Sequence, residues 1–487
     1  MASARATNGR GEQVNQGSGR KRGALVLALA VLGLSTISAR ATDFFDWGAV
    51  NTPVNPAYVQ TPPLTDANAS QVKAFLTSQI ASGKTTAVQV RAGVTLDAAT
   101  ISLIFNDPSV PVKYVFADYE GSAAVTQTTT LVNQLKPTAF GTNLANNTAY
   151  ISNFALAPIP VDTTTPPGTT YTAGNSPVNP YMNSTDFRNS GVNMSSEALY
   201  PGIASFRNPI IGSDPATGGS TAPNLRSALF TLPIERLTLA TSNIGAGQLH
   251  IPFISRFNNV DNPTLQNSTS GGQPALDTSL LLGGQSVAGQ LLSRNDFQAL
   301  VLHYKMRGAD SYQLLDPGVV GYTVAQYEQD AQDGWNNSLV NGVLGGIGGR
   351  VATMPTVVTF NGVKETIEQA GVVWSAVTND GATLVPGSNQ GLAILISNLS
   401  ATNGSVAFNT RINGATLSGN SPTLVAGSHM ILRFTKSGNL WSQTDATPEF
   451  FTAALASRDG IGIPEPTSLA LLGIGALGVL GRRRRRA

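Results

Sequence analysis

No cysteine occurs in the 487 residues. That excludes disulfide staples, Cys-ligated zinc, iron–sulfur clusters and thiol catalysis. Histidine is almost as scarce: only His250, His303 and His429, with 53 and 126 residues from each to the next, and no HExxH pair. Such wide spacing forms no metal motif, so no metal site is expected. A GxSxG nucleophile elbow and a GxxxxGK[ST] phosphate loop are also missing, and no cofactor signature is present. Charged residues make up only 12% of the chain. That excludes a highly charged disordered polymer. A mean hydropathy of +0.02 excludes a polytopic membrane protein.

What charge there is lies unevenly. Segments 1–41 and 464–487 hold eleven basic and two acidic residues out of totals of 30 and 28. The body between them therefore carries 19 basic and 26 acidic residues, a net charge of −7. A body of this sign has no basic stripe to neutralise phosphates, so no nucleic-acid partner is expected.

Both ends read as addresses. Arg20-Lys21-Arg22 is a positive flank, Gly23 to Leu34 an apolar stretch, and Ala39-Arg40-Ala41 puts small residues where signal peptidase reads them. Residues 1–41 are thus a signal peptide with cleavage before Thr42. At the other end, Pro464-Glu465-Pro466 precedes an apolar run, Leu469 to Gly481, and then Arg482 to Arg486. Proline favours an extended segment that a protease can grip, and arginines held on the cytoplasmic side halt export. This tripartite order over 464–487 resembles the PEP-CTERM sorting signal of Gram-negative bacteria. The resemblance implies transient membrane insertion of the C-terminal segment and cutting by exosortase near the motif. It also implies delivery to the cell surface or matrix, often beside exopolysaccharide.

Between the ends, 42–63 reads as an extended lead-in and 64–345 as alternating strands and helices. Val72, Phe75, Leu76 and Ile80 mark a helix face, Thr86 to Arg91 a strand, and Asp97 caps a second helix. Val112 to Tyr119 and Ala149 to Phe154 read as strands around a helix at 123–135. Further strands are expected at 192–199, 250–257 and 309–315. Helices are expected at 225–240, broken at Pro233, and after the Ser293…Asp296 cap and Thr323. Stretches 158–182, 209–224 and 264–287 read as surface loops. The fold expected is α/β, a (β/α)8-like barrel. Tyr304 to Asp310 is similar to the last helix-to-strand junction of some glycoside-hydrolase barrels. From about Arg350 the pattern becomes short strands with turn pairs such as Asn361-Gly362 and Asn413-Gly414, so 350–445 reads as a β-sandwich. Residues 446–463 read as a linker.

Carboxylates are the chemistry left. Tyr114-Val115-Phe116-Ala117-Asp118-Tyr119-Glu120 would put Asp118 and Glu120 on one side of a strand's C-terminal end, where barrel sites form. Two adjacent acids drive their pKa values apart, leaving one as an acid. The arrangement is similar to that of chitinase- and lysozyme-like glycosidase barrels, which implies Glu120 as general acid. Glu197 is the candidate second carboxylate and Tyr200 a sugar platform. His250, Arg256 and Asp316 are candidate substrate contacts at the barrel mouth. Trp335 and Trp374 stack on sugars or pack in the core. His303 reads as structural, His429 as a surface or turn residue. The functional expectation is a carbohydrate-active hydrolase. The alternative is a non-catalytic matrix, adhesion or carbohydrate-binding protein.

Overall fold

The computed structural model divides the chain into Met1–Ala41 and Thr42–Ala487. It describes residues 45–47, 63–91, 93–117, 119, 123–153, 157–158, 181–182, 187, 189–196, 225–241, 244–245, 247–254, 281–282, 285–286, 292–315, 324–337, 355–378, 391–444 and 449–450. All lie in the second unit.

The first half is a series of parallel strands with helices between them. In chain order come β1 (Phe45–Trp47), α1 (Ala69–Ala81), β2 (Ala87–Val90), α2 (Ala98–Phe105), β3 (Tyr114–Ala117), α3 (Ala124–Leu135), α4 (Ala139–Ala145) and β4 (Tyr150–Asn153). Then follow β5 (Met194–Ser195), α5 (Leu225–Thr241), β6 (Leu249–His250), β7 (Phe253–Ile254), α6 (Arg294–Met306), β8 (Gln313–Leu315) and α7 (Val324–Trp335). β2, β3 and β4 pair in parallel, and Leu64 adds a parallel bridge to Val90. β4 reaches β5 through Asn193, whose backbone N–H donates to Ile151 O (3.2 Å). The Asn193 side chain extends this ladder, accepting from Ile151 N and donating to Ala149 O, each at 2.9 Å. β5 pairs with β6, β7 with β8, and β8 with β1, all in parallel. The segment expected as a lead-in therefore supplies a strand.

Local chemistry explains the helices. Asp97 caps α2 by accepting from Thr100 N at 2.6 Å, and Val72 and Leu76 bury one stripe of α1. α4, begun by Thr138, was not expected from the sequence. Its seven residues are too few to display a period. α5 runs unbroken through Pro233, against expectation. Proline inside a helix costs about 3 kcal/mol. Burial of Phe230, Ile234 and Leu237 in the core offsets that loss. The stretch 264–287, expected as loop, contains a pairing of 281–282 with 285–286.

The second half comprises β9 (Val357–Phe360), β10 (Val363–Thr366), α8 (Ile367–Ala370), β11 (Val372–Thr378), β12 (Gly391–Asn398), β13 (Ala407–Ile412), β14 (Ala415–Asn420), β15 (Ser428–Ser437), β16 (Leu440–Gln443) and β17 (Glu449–Phe450). Where the sequence suggested a two-sheet sandwich, seven strands form one sheet, ordered β11-β12-β15-β16-β14-β13, with β17 also on β15. The sheet curls. Flat strands spaced about 4.8 Å apart would hold its ends some 24 Å apart. Yet the rings of Trp374 on β11 and Phe408 on β13 lie 5.6 Å apart. The expected turn pairs sit at hairpin tips. Asn361 and Gly362 have φ of 50° and 82°, Asn413 and Gly414 46° and 79°, as a type I′ turn needs.

One apolar cluster spans both halves, from Phe230, Leu300 and Trp335 to Trp374, Ile394 and Leu432. Within it α6 and α7 cross closely. A Cβ built on Gly334 would stand 2.5 Å from Gln298 O and 2.9 Å from its Cα. Intrinsic propensity favours alanine in a helix by about 1 kcal/mol. Backbone atoms cannot step aside, so Gly334→Ala should nonetheless destabilise by about 1–3 kcal/mol. A lowered urea midpoint would show it, and an unchanged or raised one would refute the tight crossing.

Candidate functional site

Alternation along the parallel strands sorts their side chains into two faces. Val88, Val90, Val115, Ala117 and Ile151 join the helices in one cluster. Ala87, Tyr114, Phe116, Tyr150, Met194, Leu249 and Ile251 form a separate cluster on the other face. There the Tyr114 and Tyr150 rings stack at 5.7 Å, and Ser152 and Ser196 share a hydroxyl hydrogen bond of 2.7 Å.

At the C-terminal ends of these strands, Asn153 clasps the chain that leaves β3. Its Oδ1 accepts from Tyr119 N (3.2 Å), and its Nδ2 donates to Tyr119 O (3.0 Å) and Thr128 Oγ1 (2.8 Å). The Tyr119 hydroxyl donates to Val94 O at 3.0 Å, and burial pushes its pKa up to about 12. Asn153→Ala leaves this buried backbone without partners. A loss of about 1–3 kcal/mol is expected in chemical denaturation.

Asp118, Glu120, Glu197, Tyr200, Arg256 and Asp316 lie outside the described residues, as do Ala39, Ala41, Pro464, Glu465 and Pro466. His250 is described and fully buried. Its Nδ1 lies 3.0 Å from Thr241 Oγ1, at the end of α5, and its backbone N–H donates to Asp310 Oδ2 (2.9 Å). Trp335 and Trp374 are both core residues, packed on Tyr312 and Phe408. Among the described residues no group of three His, Asp or Glu is arranged to hold a metal, and no helix is long and apolar enough to cross a membrane.

The most polar buried constellation lies between α6 and the sheet. His303 is structural there. His429, expected at the surface or a turn, is instead buried on β15. Register explains the correction: His429 sits opposite Ser397 on β12, and Ser397 opposite Val373 on β11, on the sheet face that α6 covers. Arg307 Nε donates to Ser375 Oγ (2.7 Å), and Ser375 Oγ meets His303 Nδ1 (2.7 Å). His303 Nε2 meets Ser397 Oγ (2.9 Å), Ser397 Oγ meets His429 Nδ1 (2.7 Å), and His429 Nε2 meets Asp296 Oδ1 (2.8 Å). Burial, with the nearby Arg307, drives the His303 pKa well below its ordinary value. Ser397, His429 and Asp296 have the composition of a hydrolytic triad. Ser397 has no exposed surface, however, and its oxygen also faces His303, so no substrate reaches it. The sequence did carry a signal: Ser375 and Ser397 interrupt the apolar runs VVWSAVT and GLAILISN at positions that face α6.

No curated protein matches this chain. Among solved structures, the endo-beta-1,4-mannanase from Thermotoga petrophila is similar at 9% identity and a TM-score of 0.30, covering 80% of this chain and 84% of that one. The class V chitinase from Nicotiana tobaccum is similar at 11% identity and a TM-score of 0.29, covering 56% and 86%. Likenesses this faint leave the functional reading to the chain's own residues. A family profile described as the PEP-CTERM protein-sorting motif matches residues 462–486. The chain therefore carries a PEP-CTERM sorting motif, which marks it for exosortase processing and for export to the surface or exterior of a Gram-negative cell.

Proposed function

We propose that this exported protein is a carbohydrate-active hydrolase whose first half closes as a (β/α)8-like barrel, with Asp118 and Glu120 as its central carboxylates. The observation that carries the reading is the face assignment on β3. Tyr114 and Phe116 belong to the face away from the helices, and Tyr119 is held towards the helix side through Val94. Asp118 and Glu120 share the sequence parity of Tyr114 and Phe116, and barrel sites form at the C-terminal ends of strands. Closure is supported by the parallel pairings, which run in chain order from Leu64 and β2 to β6, pass along the chain from His250 to Phe253, and continue from β7 through β8 to β1. Only sixteen residues separate β1 from Leu64, the two ends of that series.

The same alternation discriminates among the other candidates. Tyr200 shares the parity of Met194 and Ser196, which face inward. Glu197 has the opposite parity, that of Ser195. Arg256 and Asp316 share the parity of Ile254 and Leu314, which pack in the cluster with the helices. A site with one acidic pair favours the second reading, a polysaccharide-binding matrix protein without turnover. The two are separated by incubating the processed protein with a broad polysaccharide panel. Release of reducing ends supports the hydrolase; retention on polysaccharide without release supports the matrix protein.

A further inference from the structure

We infer that Arg307, Ser375, His303, Ser397, His429 and Asp296 form a one-way hydrogen-bond chain that holds α6 on the curled sheet only while His303 is neutral, making this join acid-sensitive. The direction follows from counting protons. Arg307 Nε can only donate, so Ser375 Oγ accepts there, and its own proton needs an acceptor, which His303 Nδ1 at 2.7 Å provides. A neutral His303 then carries its proton on Nε2 and gives it to Ser397 Oγ. Ser397 turns its proton to His429 Nδ1, which leaves His429 Nε2–H to donate to the Asp296 carboxylate. Every hydroxyl and ring nitrogen is used once in each required role. A cation begins the chain and an anion ends it.

Protonating His303 at Nδ1 breaks this order, because the Ser375 proton then loses its acceptor and a second cation stands beside Arg307. Water cannot easily repair the damage. Phe230 of α5 stands edge-on to His303 at 5.6 Å and stacks on His429 at 5.7 Å, and all three rings are buried. Among the described residues, the charged and titratable groups acting on His303 are Arg307 on α6 and His429 on β15; His429 in turn meets Asp296 of α6, and Arg307 meets Glu235 of α5, on which Glu368 of α8 also acts. The cation beside His303 opposes a second positive charge there.

The sign is set by linkage. The folded His303 resists protonation, so its contribution is complete above the ordinary histidine pKa near 6.5 and is lost as pH falls below it. Glu235 and Glu328 act oppositely, since burial raises each to about 7 and protonation between about 7 and 4.5 favours the folded state. A substitution at His303 separates the two effects. An exported protein meets the pH of its surroundings, so such a join would loosen in an acidic exterior.

Two measurements test this on the full chain. With three histidines, its imidazole nitrogen NMR spectrum is readable. His303 should show Nε2–H with a bare Nδ1 at pH 7. His250 should show Nδ1–H, because the Thr241 hydroxyl spends its proton on Leu237 O. Finding Nδ1–H on His303 at pH 7 overturns the chain. In denaturant unfolding, His303→Gln should remove one proton's worth of pH dependence, about tenfold in the unfolding constant per pH unit below about 6.5. Equal pH slopes in His303→Gln and the natural chain overturn the acid sensitivity. Should the variant not fold, the natural chain decides it: His303 must stay neutral down to its acid unfolding, and protonation while folded refutes the claim.

Discussion

Glu120→Gln should lower polysaccharide turnover by about 10²–10⁴-fold, the usual worth of a positioned general acid. Glutamine has the shape of glutamate but no proton to deliver to a leaving oxygen. Folding should survive the change, because Asn153 holds the neighbouring backbone at Tyr119. Asp118→Asn should also cut turnover, and it should lower the upper limb of the pH–rate profile. Alternate residues of a strand are about 6.6 Å apart, close enough for one carboxylate to raise the pKa of the other. Removing the charge at Asp118 removes that support. A fall in turnover with an unmoved profile would place the proton donor elsewhere. Full turnover in Glu120→Gln would remove the hydrolase assignment at this position.

Arg307→Met should be the most damaging single change to stability, at about 3–5 kcal/mol, the cost of breaking a buried charged network by deleting one partner. Arg307 is buried and donates from all three guanidinium nitrogens. Beyond Ser375, Nη1 donates to Thr238 Oγ1 (2.5 Å), and Nη2 donates to Trp374 O (2.7 Å) and Pro355 O (3.1 Å). Methionine fills similar volume but leaves these acceptors dry. It also removes the cation that opposes the upward shift of Glu235, now at about 7. The deficit should therefore grow above pH 7, where Glu235 must ionise without help. Arg307→Lys keeps the charge but not the planar fork, so it should recover only part of the loss. A urea midpoint within experimental error of the natural chain would show that the network contributes little.

Much of the architecture could be read before the structure. The α2 cap at Asp97, the α6 cap at Ser293 and the type I′ turns at Asn361-Gly362 and Asn413-Gly414 are local chemistry, settled by residues within four positions of one another. Elements too short for a period escaped: α4 and α8; the strand β14 escaped too, because its second half, Ser418 to Asn420, is exposed and breaks the alternation. The continuity of α5 through Pro233 also escaped, because it depends on what Phe230, Ile234 and Leu237 pack against. Around the candidate acids, the Asp-x-Glu spacing was visible, whereas the clasp of Asn153 on Tyr119 joins residues 34 apart.

By itself the sequence determined the destination of this protein and the chemistries closed to it. Sorting signals are read by other enzymes as linear order, and a missing cysteine is missing in every conformation. Only the tertiary structure decided that His303, His429, two serines and an aspartate up to 133 residues apart belong to one hydrogen-bond chain. Strand register chose which side chains face α6, and burial then made each polar group depend on its neighbour, since no solvent is there to replace it.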